Sequence, residues 1–470
     1  MITKLGNIIL QPHQQRVVDR LTKEDIDGLI AYHSLGSGKS ATSLAATERV
    51  LEENPKGRAL FITPASLQEN IYKELRKHKM NIPEDRILVR SYEKALREAD
   101  ELQKEKFPII VLDEAHKLRN TQTERAKKLK AVIENAKKKL LLTGTAGYNH
   151  PADVGVLAKY IDPNLKLPKT QEEFDFNYVD KHKGGLTPNG KKLLQDQLSK
   201  YVDIYDATES PDYKKNFPRS NTKIIDVRMS DPQQKVYRYL EQKIPKHLQR
   251  AVRSNLPLSL KDSTNLNAFS TGIRQASTGH FPYQVEHNYE DSPKLMAAVN
   301  SMAESAQAQQ GFRGVAYSNY LGAGVEPYAD LIKKRGLSPS VLTGSLSRKE
   351  KAKLVEDFNT LSPEAKVLVL SSSGGEGLDL KGVRKLQILE PHFNQSKIDQ
   401  VKGRAVRYKS HDHLPEDQRE VNIEEYHSYF QPNIFQKLFK MKPGTTIDKY
   451  LHDYSKRKQL TINDVKGSLR

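Results

Sequence analysis

The chain contains no cysteine in its 470 residues. That excludes disulfides, thiolate zinc sites and cysteine-ligated iron–sulfur clusters, and it leaves the redox compartment open. Long apolar runs are missing too: none approaches the roughly 20 residues of a membrane span. The opening stretch MITKLGNIIL is too short in apolar residues for a secretory signal, so a cytoplasmic location is the expectation. Acidic residues are in short supply, 58 against 76 Lys+Arg, which leaves a net charge of +18. A surplus of that size points to a polyanion such as nucleic acid; a basic but otherwise ordinary enzyme is the alternative. What is present is globular in kind, 37% hydrophobic and 29% charged. The length exceeds one ordinary core and implies two or three domains.

Short runs apolar throughout alternate with helical patterns over the first 150 residues, as in a parallel sheet with crossover helices. Strands are predicted at Leu29–His33, Ala59–Thr63, Ile87–Arg90, Ile109–Leu112 and Leu140–Leu142, with helices such as Ser40–Leu51 and Ser66–His78 between them. From about Asp162 to Asp291 the chain turns polar, Lys-rich and partly helical, with one strand-like segment, Thr222–Val227. Alternation then resumes, with strands predicted at Val315–Ser318, Ser340–Leu342, Val367–Ser371 and Leu386–Leu389. The expected fold class is α/β: two RecA-like parallel-sheet lobes (1–161 and 291–470) around a largely helical, basic insertion (162–290) whose strand returns to the first lobe.

His33-Ser34-Leu35-Gly36-Ser37-Gly38-Lys39-Ser40 fits the phosphate-loop pattern except that His33 stands for the first glycine. An apolar strand precedes it and an apolar-periodic helix follows, which is the context the motif requires. Gly36, Ser37 and Gly38 would present backbone N–H groups to ATP phosphates, Lys39 would reach the β/γ oxygens, and the Ser40 hydroxyl would hold Mg²⁺. Downstream, Phe107–Leu112 runs into Asp113-Glu114-Ala115-His116. Such a tetrapeptide alone is an ordinary solvated strand end. After a phosphate loop it assigns Asp113 to the metal and Glu114 to the general base.

In the second lobe, Gln400-Val401-Lys402-Gly403-Arg404-Ala405-Val406-Arg407 has the form Q-x-x-G-R-x-x-R. Arg404 and Arg407, three apart, would share one helix face, and an arginine against the γ-phosphate stabilises transition-state charge. A solvated basic helix is the competing explanation. The glycine-rich Ser373–Leu380 segment offers Gly377 for close backbone approach and Asp379 for a ribose or the arginine pair.

With these residues in view, the chain resembles a superfamily 2 helicase/translocase of the Swi/Snf-like group over almost its whole length. Leu10-Gln11-Pro12-His13-Gln14 resembles the group's leading motif, and the resemblance implies that Gln14 reads adenine. Thr63–Asn70 resembles motif Ia, and Leu142-Thr143-Gly144-Thr145-Ala146 with Asn149 resembles the segment coupling hydrolysis to movement, a role implied for Thr143, Thr145 and Gln400. Thr445–Leu451 with Lys456 resembles the carboxy-terminal brace. Three departures from the pattern involve four residues: Ala146 stands for a usual proline, Ile71-Tyr72 for a usual tryptophan, and His33 for the acidic residue common in chromatin remodellers. The compact form is similar to poxvirus-type nucleoside triphosphate phosphohydrolases and phage branched-DNA helicases, for which the location would be host cytoplasm.

The resemblance implies an ATP- and Mg²⁺-dependent motor that grips the DNA backbone without reading sequence. Candidate grips are Ser66, Ser91 and Tyr92 in the first lobe and Ser345 and Arg348 in the second. Lys246, Arg250 and Arg253 fall at i, i+4 and i+7 and would share a side of one helix, where a solvated face is the competing explanation. Remodelling of forks or junctions, including branch migration, is the leading expectation. Viral transcription termination or release and RNA unwinding are the alternatives.

Overall fold

The computed structural model describes every residue except 1–3, 6, 35, 145–149, 151, 169, 181–184, 208–209, 211–214, 285–287, 373, 375–377, 394, 433–437 and 440–442. The chain divides into two compact units, Met1–Ser210 with Arg457–Arg470, and Pro211–Lys456. No helix among the described residues is long and apolar enough to cross a membrane.

In the first unit a two-residue ribbon, β1 (Lys4–Leu5) and β2 (Ile8–Ile9), precedes helix α1 (Pro12–Lys23). The main sheet comprises β3 (Gly28–His33), β4 (Ala59–Thr63), β5 (Ile87–Ser91), β6 (Ile109–Asp113), β7 (Lys138–Thr143) and β8 (Val202–Tyr205). All are parallel, in the order β5-β4-β6-β7-β3-β8. Every residue of β3 and β4 is buried, because helices cover both faces; that is why these strands read as unbroken apolar runs rather than alternating ones. Two apolar layers result, one on each face. Val465 and Leu469, near the end of the chain, join the layer built on Tyr32, Phe107 and Leu157.

The second unit holds β9 (Arg219–Arg228), β10 (Arg313–Ser318), β11 (Pro339–Leu342), β12 (Lys366–Ser371), β13 (Lys385–Ile388) and β14 (Glu420–Tyr429). They too are parallel, in the order β11-β12-β10-β13-β14-β9. Thr222–Val227, expected to return to the first lobe, therefore lies in the second sheet, paired with β14 over ten residues. The first sheet is completed instead by β8, in a stretch that reads as polar and helical. The basic middle is not a unit of its own: helices Gln171–Tyr178 and Pro188–Leu198 fall within the first unit, and Asp231–Glu241, Lys246–Arg253, Leu260–Phe269 and Thr271–Thr278 within the second.

The brace-like segment opens the final helix, Ile447–Leu469. Its first turn is fastened inside the second unit by a fully buried ion pair, Lys294 Nζ to Asp448 Oδ2 at 2.6 Å, with side chains 0% and 1% exposed. Asp448 also accepts from the Ser428 backbone N–H at 2.9 Å and from the Ser277 hydroxyl. A charge buried this completely tolerates no unilateral loss, because the surviving partner has no water to turn to. Asp448→Ala should therefore destabilise the second unit by about 3–5 kcal/mol in urea denaturation, and Lys294→Met/Asp448→Leu should recover most of that loss. Equal losses in the single and double variants would contradict this account.

Candidate nucleotide-binding and hydrolysis site

Strand β3 ends at His33 and α2 (Lys39–Glu52) begins at the lysine. Gly36 and Gly38 carry φ of 80° and 75°, left-handed values that cost a side chain about 1 kcal/mol or more. Gly38 is also confined: a Cβ there would lie 2.4 Å from Gln14 Nε2. No side chain caps α2, and its first turn holds no acidic residue, so its N–H groups and dipole are free to receive an anion. The Ser37 hydroxyl is buried within the same turn with no hydrogen-bond partner. Lys39 donates to the His33 and Ser34 carbonyls at 2.9 and 3.0 Å. Burial lowers its pKa, against the attraction of Glu114 and Asp113. These features fit a bound triphosphate, which would offer Lys39 better acceptors than two neutral carbonyls.

The side chains beneath the loop explain its unusual first residue. His33 is wholly buried and its Nε2 meets Asp203 Oδ1, on the neighbouring β8, at 2.7 Å. Asp203 accepts from Arg16 Nε and Nη2 of α1 at 2.6 and 2.9 Å. Burial would raise the Asp203 pKa, yet the hydrogen bonds from His33 and Arg16 prevail and hold it down at about 2. His13 stacks on Tyr205 at 3.6 Å and its Nε2 lies 2.8 Å from the Ser37 carbonyl. Gln14 Oε1 accepts from the Gln11 N–H at 2.9 Å, while Nε2 donates to the Ser37 and Gly38 carbonyls at 3.3 Å each. Gln14 thus braces the loop from α1 with both ends of its amide occupied. Asp203 and Arg16 escaped the sequence reading; the histidine standing where glycine is usual was the available signal.

The carboxylates lie at the end of β6, between β4 and β7 in the sheet. Asp113 Oδ2 accepts from Thr63 Oγ1 at 3.1 Å. Burial, reinforced by the charge of Glu114, pushes the Asp113 pKa up to about 6. Glu114 is a non-glycine residue at φ 54°, which turns the chain sharply off the strand. Burial would raise its pKa as well, but His116, whose Nδ1 lies 3.3 Å away, outweighs that and keeps it low. Neighbouring carboxylates pushed apart in this way suit separate metal and base roles. Thr143 ends β7, pairs with Tyr32 of β3 and is buried. Thr145 lies outside the described residues. Thr63, Asp113, Thr143 and His33 thus end four adjacent strands, the edge of a parallel sheet where ligands bind.

In the second unit Gln400 and Arg404 lie on the helix Gln395–Ala405, both half-buried. That helix stops before Arg407, so the two arginines do not share its face as expected. Arg407 instead enters the following turn, where Ser410 Oγ donates to its carbonyl at 2.9 Å. Its Nη1 donates to the Leu378 carbonyl at 2.9 Å and lies 3.4 Å from Asp379 Oδ1. Asp379 thus meets an arginine of the pair, one of its two expected partners. Gly377 lies outside the described residues.

The candidate nucleic-acid contacts fare unevenly. Ser66, Lys246, Arg250, Ser345 and Arg348 are exposed. Arg253 is exposed as well but is held by Glu241, with Nη2 to Oε2 at 2.6 Å. Ser91 is buried and caps a helix by accepting from the Lys94 N–H at 3.1 Å. Tyr92 is a correction: it is fully buried and donates its hydroxyl to the Asp113 carbonyl at 2.8 Å, with Lys117 and Arg125 within 6 Å of its ring. It supports the carboxylate strand and has no surface with which to grip a polymer.

Two family models match the chain: SNF2-related domain over residues 61–277, and Helicase conserved C-terminal domain over 296–409. A protein of Acanthamoeba polyphaga mimivirus, named as a candidate ATP-dependent RNA helicase, is 28% identical over 97% of this chain and 95% of its own length. The Gallus gallus DNA repair and recombination protein RAD54-like is 22% identical over 85% of this chain and 62% of its own length. A termination factor NPH-I homolog of African swine fever virus is 24% identical over 92% of this chain and 73% of its own length.

Gly38→Ala should weaken ATP binding at least tenfold, measured with a fluorescent nucleotide, because the new methyl group displaces Gln14 and strains the turn. Unchanged affinity would mean that the loop is not the phosphate site.

Proposed function

We propose that the chain is a Swi/Snf-related helicase, an ATP hydrolase that couples ATP hydrolysis to movement along duplex or branched DNA; the two family models matched over 61–277 and 296–409 support this reading. The observation that carries the reading is the convergence, at one sheet edge, of a lysine-bearing phosphate loop and a carboxylate pair whose pKa values are driven apart. Asp113 and Ser40 are the residues to hold Mg²⁺, which would offset phosphate charge and orient the triphosphate. Glu114, kept ionised, accepts the proton of the attacking water. Arg404 and Arg407 supply positive charge to the transition state, and Thr143, Thr145 and Gln400 relay hydrolysis to movement.

DNA as the track is supported by the charge of +18 and by the exposed Lys246 and Arg250 on a helix whose other side, Leu248 and Val252, is buried. Contacts of this kind go to phosphates and carry no sequence preference. The kinship with a recombination protein supports fork or junction remodelling in replication, recombination or repair. The kinship with a viral termination factor, which covers more of both chains, supports a second reading: a DNA-dependent ATPase that releases a transcribing polymerase.

ATP hydrolysis measured with single-stranded DNA, duplex, a four-way junction and RNA discriminates these readings. Junction preference is the expected result for remodelling. Stimulation by RNA alone would overturn the DNA assignment, and activity dependent on a stalled polymerase would favour the second reading. Glu114→Gln should lower hydrolysis by about 10²–10⁴-fold while nucleotide still binds. Arg404→Ala should cost about 10³-fold. Strand movement that persists in Glu114→Gln without hydrolysis would refute the motor.

A further inference from the structure

Strand β14 carries two potential metal ligands on one face. Glu425 and His427 are two residues apart and so project to the same side, while Tyr426 between them joins the apolar layer on the opposite side. His452, in the second turn of the final helix, completes a trio: one donor atom from each of Glu425, His427 and His452 lies within 4.8 Å of the others. The two imidazole rings are 5.0 Å apart between centroids and tilted by 55°. Among these residues His427 stands out. It is 3% exposed, yet its Nε2 is buried without a hydrogen-bond partner. Its other nitrogen, Nδ1, lies 4.0 Å from a carboxylate oxygen of Asp226, its cross-strand neighbour on β9. At 4.0 Å that contact is electrostatic rather than a hydrogen bond, and the open Nε2 is the nitrogen available to a metal.

We propose that Glu425, His427 and His452 form a binding site for a single zinc-class divalent cation, separate from the magnesium that accompanies ATP. Two imidazoles and a carboxylate suit Zn²⁺, Co²⁺ or Ni²⁺, whereas Mg²⁺ prefers an all-oxygen shell. Zinc bonds of about 2.0–2.1 Å place tetrahedral donors roughly 3.3 Å apart, so the trio must close by about 1.5 Å at most. The adjustment falls to His452, which is half-buried rather than enclosed in the core. Water would take the fourth position.

The site has a competitor that ties it to the arginine helix. Lys402 Nζ lies 2.7 Å from Glu425 Oε1, on the helix that also carries Gln400 and Arg404. An ion bound to Glu425 draws that carboxylate away from Lys402, so occupancy weakens the tether between this helix and β14. Metal and ammonium contend for one carboxylate.

Cobalt(II) titrated into the full chain, with Mg²⁺ in excess and no nucleotide, tests the proposal through its visible absorption. One equivalent should bind with the intense bands of a four- or five-coordinate ion, and Zn²⁺ should displace it. His452→Gln, which leaves the core intact, should weaken binding at least tenfold without changing the metal-free melting temperature. Lys402→Met, which removes the competing cation, should strengthen binding several-fold. Equal binding by the wild-type and His452→Gln chains, or only the faint bands of an octahedral ion on surface histidines, would overturn it. The readout is independent of ATP hydrolysis, so its failure would leave the motor reading untouched.

Discussion

The first unit is organised around one electrostatic constraint: a half-buried ammonium group set beside two carboxylates at the end of a sheet. Lys39 donates to two backbone carbonyls, which are dipoles rather than charges and compensate it only in part. The sheet order supplies the remainder by setting β6 two places from β3, so that Asp113 and Glu114 act on Lys39 through a poorly screening interior. A triphosphate with its metal would bring negative charge to Lys39 and a cation to the carboxylates.

The loop holding that lysine is supported from below by a polar column. His33, Asp203 and Arg16 connect the end of β3 to the sheet's edge strand and then to α1, and Gln14 and His13 return from α1 to the loop carbonyls. Each buried polar contact costs desolvation, and the column recovers it only with the whole geometry in place. The same network explains why β8 belongs to this sheet although its four residues, VDIY, bring a charged aspartate into it. Asp203 would be untenable at 2% exposure without His33 and the α1 arginines around it.

Much of this was legible from the sequence, for a physical reason: strands buried on both faces must be apolar throughout, so β3, β4, β6, β7, β10 and β12 announce themselves. The phosphate loop and the carboxylates followed, because their spacing is fixed by the turn and the strand that carry them. β14 was not legible, since its glutamates are neutralised by distant lysines, Lys385 at 2.9 Å and Lys402 at 2.7 Å. Nor was the partner of β9, whose exposed, polar edge carries no local record of a strand 200 residues away. Tyr92 misled because an aromatic residue just after a strand reads equally well as a stacking platform or as a support, and only its burial separates the two. The end of the arginine helix at Ala405 depends on the turn beyond it, which the pattern Q-x-x-G-R-x-x-R does not encode.

The first unit is discontinuous along the chain, and this bears on its biosynthesis. Val465 and Leu469, 1% and 6% exposed, sit in the same apolar layer as Tyr32 and Phe107. A nascent polypeptide emerging from the ribosome has every strand of that unit once residue 205 is made, yet lacks the last pieces of that layer until Val465 and Leu469 follow. The second unit, built from one uninterrupted segment, can close first. The first unit, although most of it is made earlier, would then be the last to mature.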